Sequence, residues 1–100
     1  MSISTNSRAW GRTYRRRTGS SLSTKELLRH YGRCVRDQDG KCAICECDDP
    51  GTRRATECWP LDHDPNTGKL RGLLCHRCNT KLAWFEENEE AIIHYLRRWQ

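Results

Sequence analysis

Two Cys-x-x-Cys pairs, Cys42-Ala-Ile-Cys45 and Cys75-His-Arg-Cys78, constrain this chain more than anything else in it. Each pair folds back so that both thiolates reach one ion, and two pairs a few tens of residues apart complete the tetrahedral set that zinc takes in structural sites. The chain has 100 residues, 35% of them hydrophobic, enough for one domain with a thin core. A structural zinc site contributes on the order of 10 kcal/mol of folding free energy, more than such a core leaves as net stability. The expectation is a zinc-stapled fold that fails without its metal. Seven cysteines could instead frame disulfides, but the number is odd, no secretory signal with an apolar segment is expected ahead of them, and their pairing suits metal better. Cys47 lies two residues beyond Cys45 and could compete for the ion. Cys34 and Cys58 read as small apolar fillers or free thiols of a reducing cytoplasm. No apolar run approaches membrane length, so a soluble protein with no membrane partner is expected.

The net charge of +5 is concentrated at one end. Residues 1 to 20 contain Arg8, Arg12, Arg15, Arg16 and Arg17 and no acidic residue, whereas residues 21 to 100 hold 13 basic and 13 acidic side chains. A Ser/Thr/Arg-rich segment interrupted only by Trp10 and Tyr14 cannot bury enough apolar surface to fold alone. Residues 1–22 therefore read as a flexible, disordered basic arm whose arginines suit phosphate contacts with nucleic acid, and 23–100 as the folded domain. The plainer reading of the arm is a solubilising tail.

Ser23-Thr24-Lys25-Glu26 is a capping box, which predicts a helix over 24–36 with Leu27, Leu28, Tyr31 and Val35 on one stripe. Asp37 to Lys41 is a turn into the first cysteine pair, and Cys47 to Arg54 is a loop. Thr56 to His63 reads as a strand, Asp64 to Gly68 as a dense turn, and Leu70 to Cys75 as the return strand of a hairpin. Pro60 lacks a donor and places the first strand at an edge or bulge, its polar tip open to a ligand. A helix over 77–87 begins inside the second cysteine pair. A last helix over 88–99, capped by Asn88, carries Ala91, Ile92, Tyr95, Leu96 and Trp99 on one face, which packs on the zinc core or on a second copy of the chain.

Strand, turn, strand and helix make a ββα unit within a small α+β fold, with Asp62 and His63 on the first strand and Asn79 on the helix. Asp62 and the side-chain carbonyl of Asn79 offer the oxygen donors that a hard cation such as Mg²⁺ wants, leaving positions for phosphate and water. Histidine ordinarily titrates near neutrality, so the neutral imidazole of His63 can take the proton from an attacking water while the ion stabilises the pentacovalent phosphorus and the leaving 3′ oxygen.

These residues resemble a family. Cys42-x-x-Cys45, then Leu61-Asp62-His63-Asp64, then Gly68-x-Leu70-Arg71-Gly72-Leu73-Leu74-Cys75-x-x-Cys78-Asn79 resembles the phage recombination endonuclease VII family of His-Me finger (HNH-like, ββα-metal) nucleases over roughly residues 38 to 97. The resemblance implies structural zinc on Cys42, Cys45, Cys75 and Cys78, His63 as general base, and catalytic Mg²⁺ or Mn²⁺ on Asp62 and Asn79. It also implies a phage source, hence the cytoplasm of a bacterial host, and a DNA substrate that is duplex or branched like a Holliday junction; a homodimer through the C-terminal helix is the second-copy reading of that helix's apolar face. Where the family pattern has a second histidine this chain has Pro65, and where it has a glutamate after the asparagine this chain has Leu82; Asp64 or Glu86 are the residues at hand to compensate.

Each of these residues has a plainer reading. His63 could be structural or a zinc ligand, Asn79 a helix cap, and Asp64 a turn former. His76 could replace a cysteine, although four already close the zinc site, while His30 and His94 read as surface residues. Arg71 either orients phosphate or pairs with an acidic neighbour, with phosphate favoured. Trp59, Trp84 and Trp99 read as packing residues and Trp10 as a base-stacking residue of the arm. Two functions follow: a DNA endonuclease leaving a 5′ phosphate and a 3′ hydroxyl, or a non-catalytic zinc module that binds DNA or protein. Asp62, His63 and Asn79 together favour the enzyme.

Overall fold

The computed structural model describes residues 7–51 and 59–100, with side chains from Trp10 onward. Four helices and one two-stranded sheet follow in the order α1 (Ser7–Thr18), α2 (Thr24–Asp37), β1 (Leu61–His63), β2 (Leu70–Leu73), α3 (His76–Glu87) and α4 (Glu89–Arg98). This is the expected small α+β fold with the ββα unit at its centre.

Within the segment 1–22 expected as a disordered basic arm, Ser7–Thr18 forms the helix α1. Trp10 and Tyr14, one turn apart, form one face of α1; their rings stack at 5.7 Å, and Trp10 meets Tyr31 of α2 edge-on at 5.7 Å. Gly11 lets the two helix backbones come close, because a β-carbon there would collide with the side chain of Thr24. Gly19, at φ +72°, ends α1 with its N–H bonded to the carbonyl of Arg15. The segment lacks the apolar surface to fold alone and does not do so: it folds on α2. Trp10, expected as a base-stacking residue of the arm, packs here on Tyr14 and Tyr31.

α2 begins at the expected capping box, in which the Glu26 N–H donates to Ser23 Oγ and the Ser23 N–H to Glu26 Oε1. It buries Leu27 and Tyr31, and the Tyr31 hydroxyl accepts from the Trp59 N–H at 2.7 Å. Around this pair lie Leu61, Leu73, Leu74 and three of the paired cysteines, so one small cluster serves as both apolar core and metal frame. Of the expected first strand, Leu61–His63 is extended, while Thr56 to Cys58 lie outside the described residues. Leu61 pairs with Leu73 and His63 with Leu70, so Arg71 and Gly72 together face the single residue Asp62. That is a β-bulge.

The hairpin turn is held by Asp64, whose Oδ1 accepts from the N–H of Asn66 at 2.8 Å and of Thr67 at 3.4 Å, with Gly68 at φ +75° closing it. At the junction of α3 and α4, Asn88 occupies the N-cap position of α4, but its side chain makes no cap there. Its Nδ2 donates instead to the Trp84 carbonyl at the end of α3. No residue of α4 is buried, so its apolar face does not pack on the zinc core, and Trp84, Tyr95, Leu96 and Trp99 are exposed. No helix among the described residues is long and apolar enough to cross a membrane.

Candidate metal and catalytic site

The four paired cysteines converge as their spacing requires: their sulfurs all lie within 4.8 Å of one another. Tetrahedral zinc with bonds of about 2.3 Å needs sulfurs about 3.8 Å apart, and Cys45 and Cys75 are 3.8 Å apart. Backbone N–H groups point at the sulfurs, Cys75 N–H at Cys42 and Cys78 N–H at Cys75. Donors aimed at sulfur favour the thiolate, the form a metal binds. On the exposed side of the cluster the Cys45 thiol is pulled down to about 6, first by the Cys47 N–H. These four residues can hold a metal such as zinc. Cys47 stands outside the four, its thiol turned to the Asp49 carbonyl.

Directly beyond this cluster an open cleft of about 970 Å³ lies between α1, β1 and α3. Asp62 and His63 enter it from β1, and Arg71 from the bulge. Residues one strand position apart ordinarily point to opposite faces; beside the bulge and Pro60 both line the same space. α3 adds His76, Asn79, Thr80, Ala83 and Glu86, the single face that a 3.6-residue period selects. The N-cap of α3 is Cys75, whose sulfur takes the Cys78 N–H, so Asn79 does not serve as the cap and its side chain lines the cleft.

Arg71 decides the electrostatics. Its Nε donates to Asp62 Oδ2 at 2.6 Å, and its two terminal nitrogens donate to the Glu86 carboxylate at 3.1 and 2.9 Å. The fork bridges strand and helix with charge-assisted bonds. Arg71 holds the Glu86 carboxyl below its usual range, and Glu86, then Asp62, push the guanidinium further up. Asp64, spent on its turn, is kept acidic first by the Asn66 N–H. The ring nitrogens of His63 and the side-chain amide of Asn79 have no hydrogen-bond partner among the described residues.

The sequence pattern described as Recombination endonuclease VII matches residues 12–98. The chain belongs to the recombination endonuclease VII family. The Gene 59 protein of Mycobacterium phage D29 is 38% identical over 93 residues, an alignment covering 82% of this chain and 53% of that protein. The chain thus spans about half the length of this relative. No solved structure matches.

Against the endonuclease VII pattern, the structure shows where the two departures fall. Pro65 lies exposed in the Asp64 turn, and Leu82 packs against the core. One turn beyond Leu82, Glu86 brings a carboxylate into the cleft from the helix that carries Asn79. Among the arginines expected at DNA, Arg12, Arg16 and Arg17 are exposed on α1, and Arg17 also lines the cleft. Arg15 is turned inward, donating to Thr24 Oγ1 at 2.9 Å and the Leu22 carbonyl at 3.4 Å, and the side chain of Arg8 lies outside those described. His30 is no bare surface residue, since its Nε2 sits 2.6 Å from the Arg71 carbonyl and ties α2 to the bulge. The α1 wall of the cleft went unseen in the sequence, although Trp10, Tyr14 and Arg17 at helical spacing were a signal for it.

Proposed function

We propose that this domain is a metal-dependent DNA endonuclease of the His-Me finger (HNH, ββα-metal) type, hydrolysing phosphodiester bonds of duplex or branched DNA to a 5′ phosphate and a 3′ hydroxyl. The observation that carries this reading is the meeting of Asp62, His63 and Asn79 in one cleft. Asp62 and Asn79 offer hard oxygen donors on its two facing walls, a set that suits Mg²⁺ or Mn²⁺. Such an ion, when bound, supplies Lewis-acid stabilisation of the charge that develops on phosphate and on the leaving oxygen. His63, whose ring nitrogens have no hydrogen-bond partner among the described residues, accepts the proton of the attacking water. Glu86 is the further carboxylate on this face. Arg71 orients Asp62 and Glu86 and neutralises part of their charge, so phosphate contact falls to Arg12, Arg16 and Arg17, with Arg8 on the same basic segment.

The four cysteines hold zinc and tie β2 and α3 to the loop before β1. The exposed apolar face of α4 mates with a second copy, which places two centres on two strands, as cutting a branched junction requires. Such a protein works in the cytoplasm of the phage's bacterial host.

The test is cleavage of labelled linear, supercoiled and four-way-junction DNA with Mg²⁺ or Mn²⁺, comparing wild type with His63→Ala at equal zinc content. Loss of a general base is expected to slow cutting by about 10²- to 10⁴-fold. DNA binding without cutting by either protein would leave a zinc-stapled binding module in place of the nuclease.

A further inference from the structure

α1 does more than carry charge. It is pinned to α2 by the close approach at Gly11 and by the Arg15 bonds to Thr24 and Leu22, and so it presents a fixed edge to the cleft. On that edge stands Tyr14. Its ring meets the His63 imidazole edge-on, with centroids 6.2 Å apart and planes at 76°. Its hydroxyl is buried, yet among the described residues it has no hydrogen-bond partner.

A buried hydroxyl without a partner costs about 1–3 kcal/mol, and folded proteins seldom carry one without use for it. Nearby groups of the right kind exist: Asp62 is close enough to act on the phenol, and Thr13, Thr18 and Arg17 line the same cleft. None of them takes the bond. Burial, and then the Asp62 charge, push the phenol up to about 12, so it keeps its proton wherever DNA is stable. Toward an entering phosphate the cleft presents the carboxylates of Asp62 and Glu86, with Arg71 already engaged between them. The Tyr14 hydroxyl adds an unengaged donor without charge on the side of the cleft where His63 stands.

We propose that Tyr14 is a catalytic residue of this centre, its hydroxyl donating a hydrogen bond to a non-bridging oxygen of the scissile phosphate while its ring sets the plane of the His63 imidazole. The inference rests on the nuclease reading above and extends it to a helix outside the ββα unit. The substrate oxygen provides the partner that the free protein withholds. Activity thus depends on a bond that contributes nothing to stability.

Two variants separate these roles in the full-length protein. Tyr14→Phe keeps the ring and removes the hydroxyl. It is expected to lower kcat/KM for supercoiled DNA by about 10- to 100-fold, with a melting midpoint equal to or above that of wild type and an unchanged apparent pKa on the acid limb of the pH–rate profile. Tyr14→Leu removes the ring as well and is expected to shift that limb, because the imidazole loses its neighbour. Full activity in Tyr14→Phe would overturn the inference and leave the nuclease intact. A melting midpoint that falls along with activity would also overturn it, by showing that the hydroxyl has a structural partner. Absence of His63-dependent cutting in wild type would overturn the nuclease reading and this one together.

Discussion

The thiol cluster and the carboxylate cleft share the first turn of α3, where Cys78 serves one and Asn79 the other, yet they are built on opposite plans. In the cluster Cys42, Cys75 and Cys78 are buried, and backbone donors aim at sulfur. In the cleft, the side chains of His63 and Asn79 leave their polar atoms unpaired among the described residues, and the two carboxylates are bridged by the guanidinium of Arg71. One site is completed from within by thiolates of the chain. The other is balanced just enough to stay folded while open. The centre proposed for catalysis therefore lies where the described residues leave side chains open, and the cysteine cluster begins one residue away.

The largest effect expected from this contrast is at the cluster. Cys75→Ser removes a thiolate and should abolish the fold, a loss on the order of 10 kcal/mol of metal-linked stability; circular dichroism and metal content per chain measure it. A zinc-free variant that still melts cooperatively would show that the core alone suffices. Next in size is Arg71→Ala, which leaves the largely buried Asp62 carboxylate without its counter-charge. Stability is expected to fall by about 1–3 kcal/mol, and the melting midpoint by several degrees. The more negative cleft should reach half-maximal cutting at lower Mn²⁺. A higher Mn²⁺ requirement would mean that Arg71 belongs to the substrate instead.

Acid provides a gentler test. Because Arg71 depresses the Glu86 pKa, the stability this pair contributes is present above the ordinary value near 4.5 and is lost as pH falls through the lower folded value. Melting midpoints measured from pH 6 down to pH 3 should drop in wild type, and by less in Glu86→Gln. Smallest of all is the effect on folding expected at α4, where Leu96→Glu with Trp99→Glu should move stability by no more than about 0.5 kcal/mol. The same pair should shift sedimentation of the full-length protein from dimer to monomer. Unchanged sedimentation would remove α4 from the assembly.

Much of this was legible in the chain because short-range chemistry wrote it. The Cys-x-x-Cys spacing, the Ser23–Glu26 box and the Asp64–Gly68 turn each specify geometry within a few residues, and each formed as expected. Asp62, His63 and Asn79 could be brought to one place on paper because hairpin and helix are adjacent in sequence. What escaped was long-range. The partner of Trp10 is Tyr31, 21 residues on, so composition alone showed a charged tail where tertiary contact makes a helix. Arg71 looked free for phosphate because its second partner, Glu86, waits nearly three turns along α3. Asn88 shows the reverse error: a good cap residue at the right position serves the preceding helix instead.

Gln38, at the end of α2, has its amide oxygen 3.0 Å from the Leu73 N–H and its amide nitrogen 2.9 Å from the Leu73 carbonyl, and the Ala43 N–H reaches that same carbonyl. The Leu74 N–H turns the other way, to Pro60, so these Leu73 groups face outward from the hairpin. One side chain thus acts as a strand one residue long. An open strand edge is a template for edge-to-edge pairing, and at Leu73 the outer edge of β2 is already occupied from within the chain, which leaves that stretch closed to a strand of another copy.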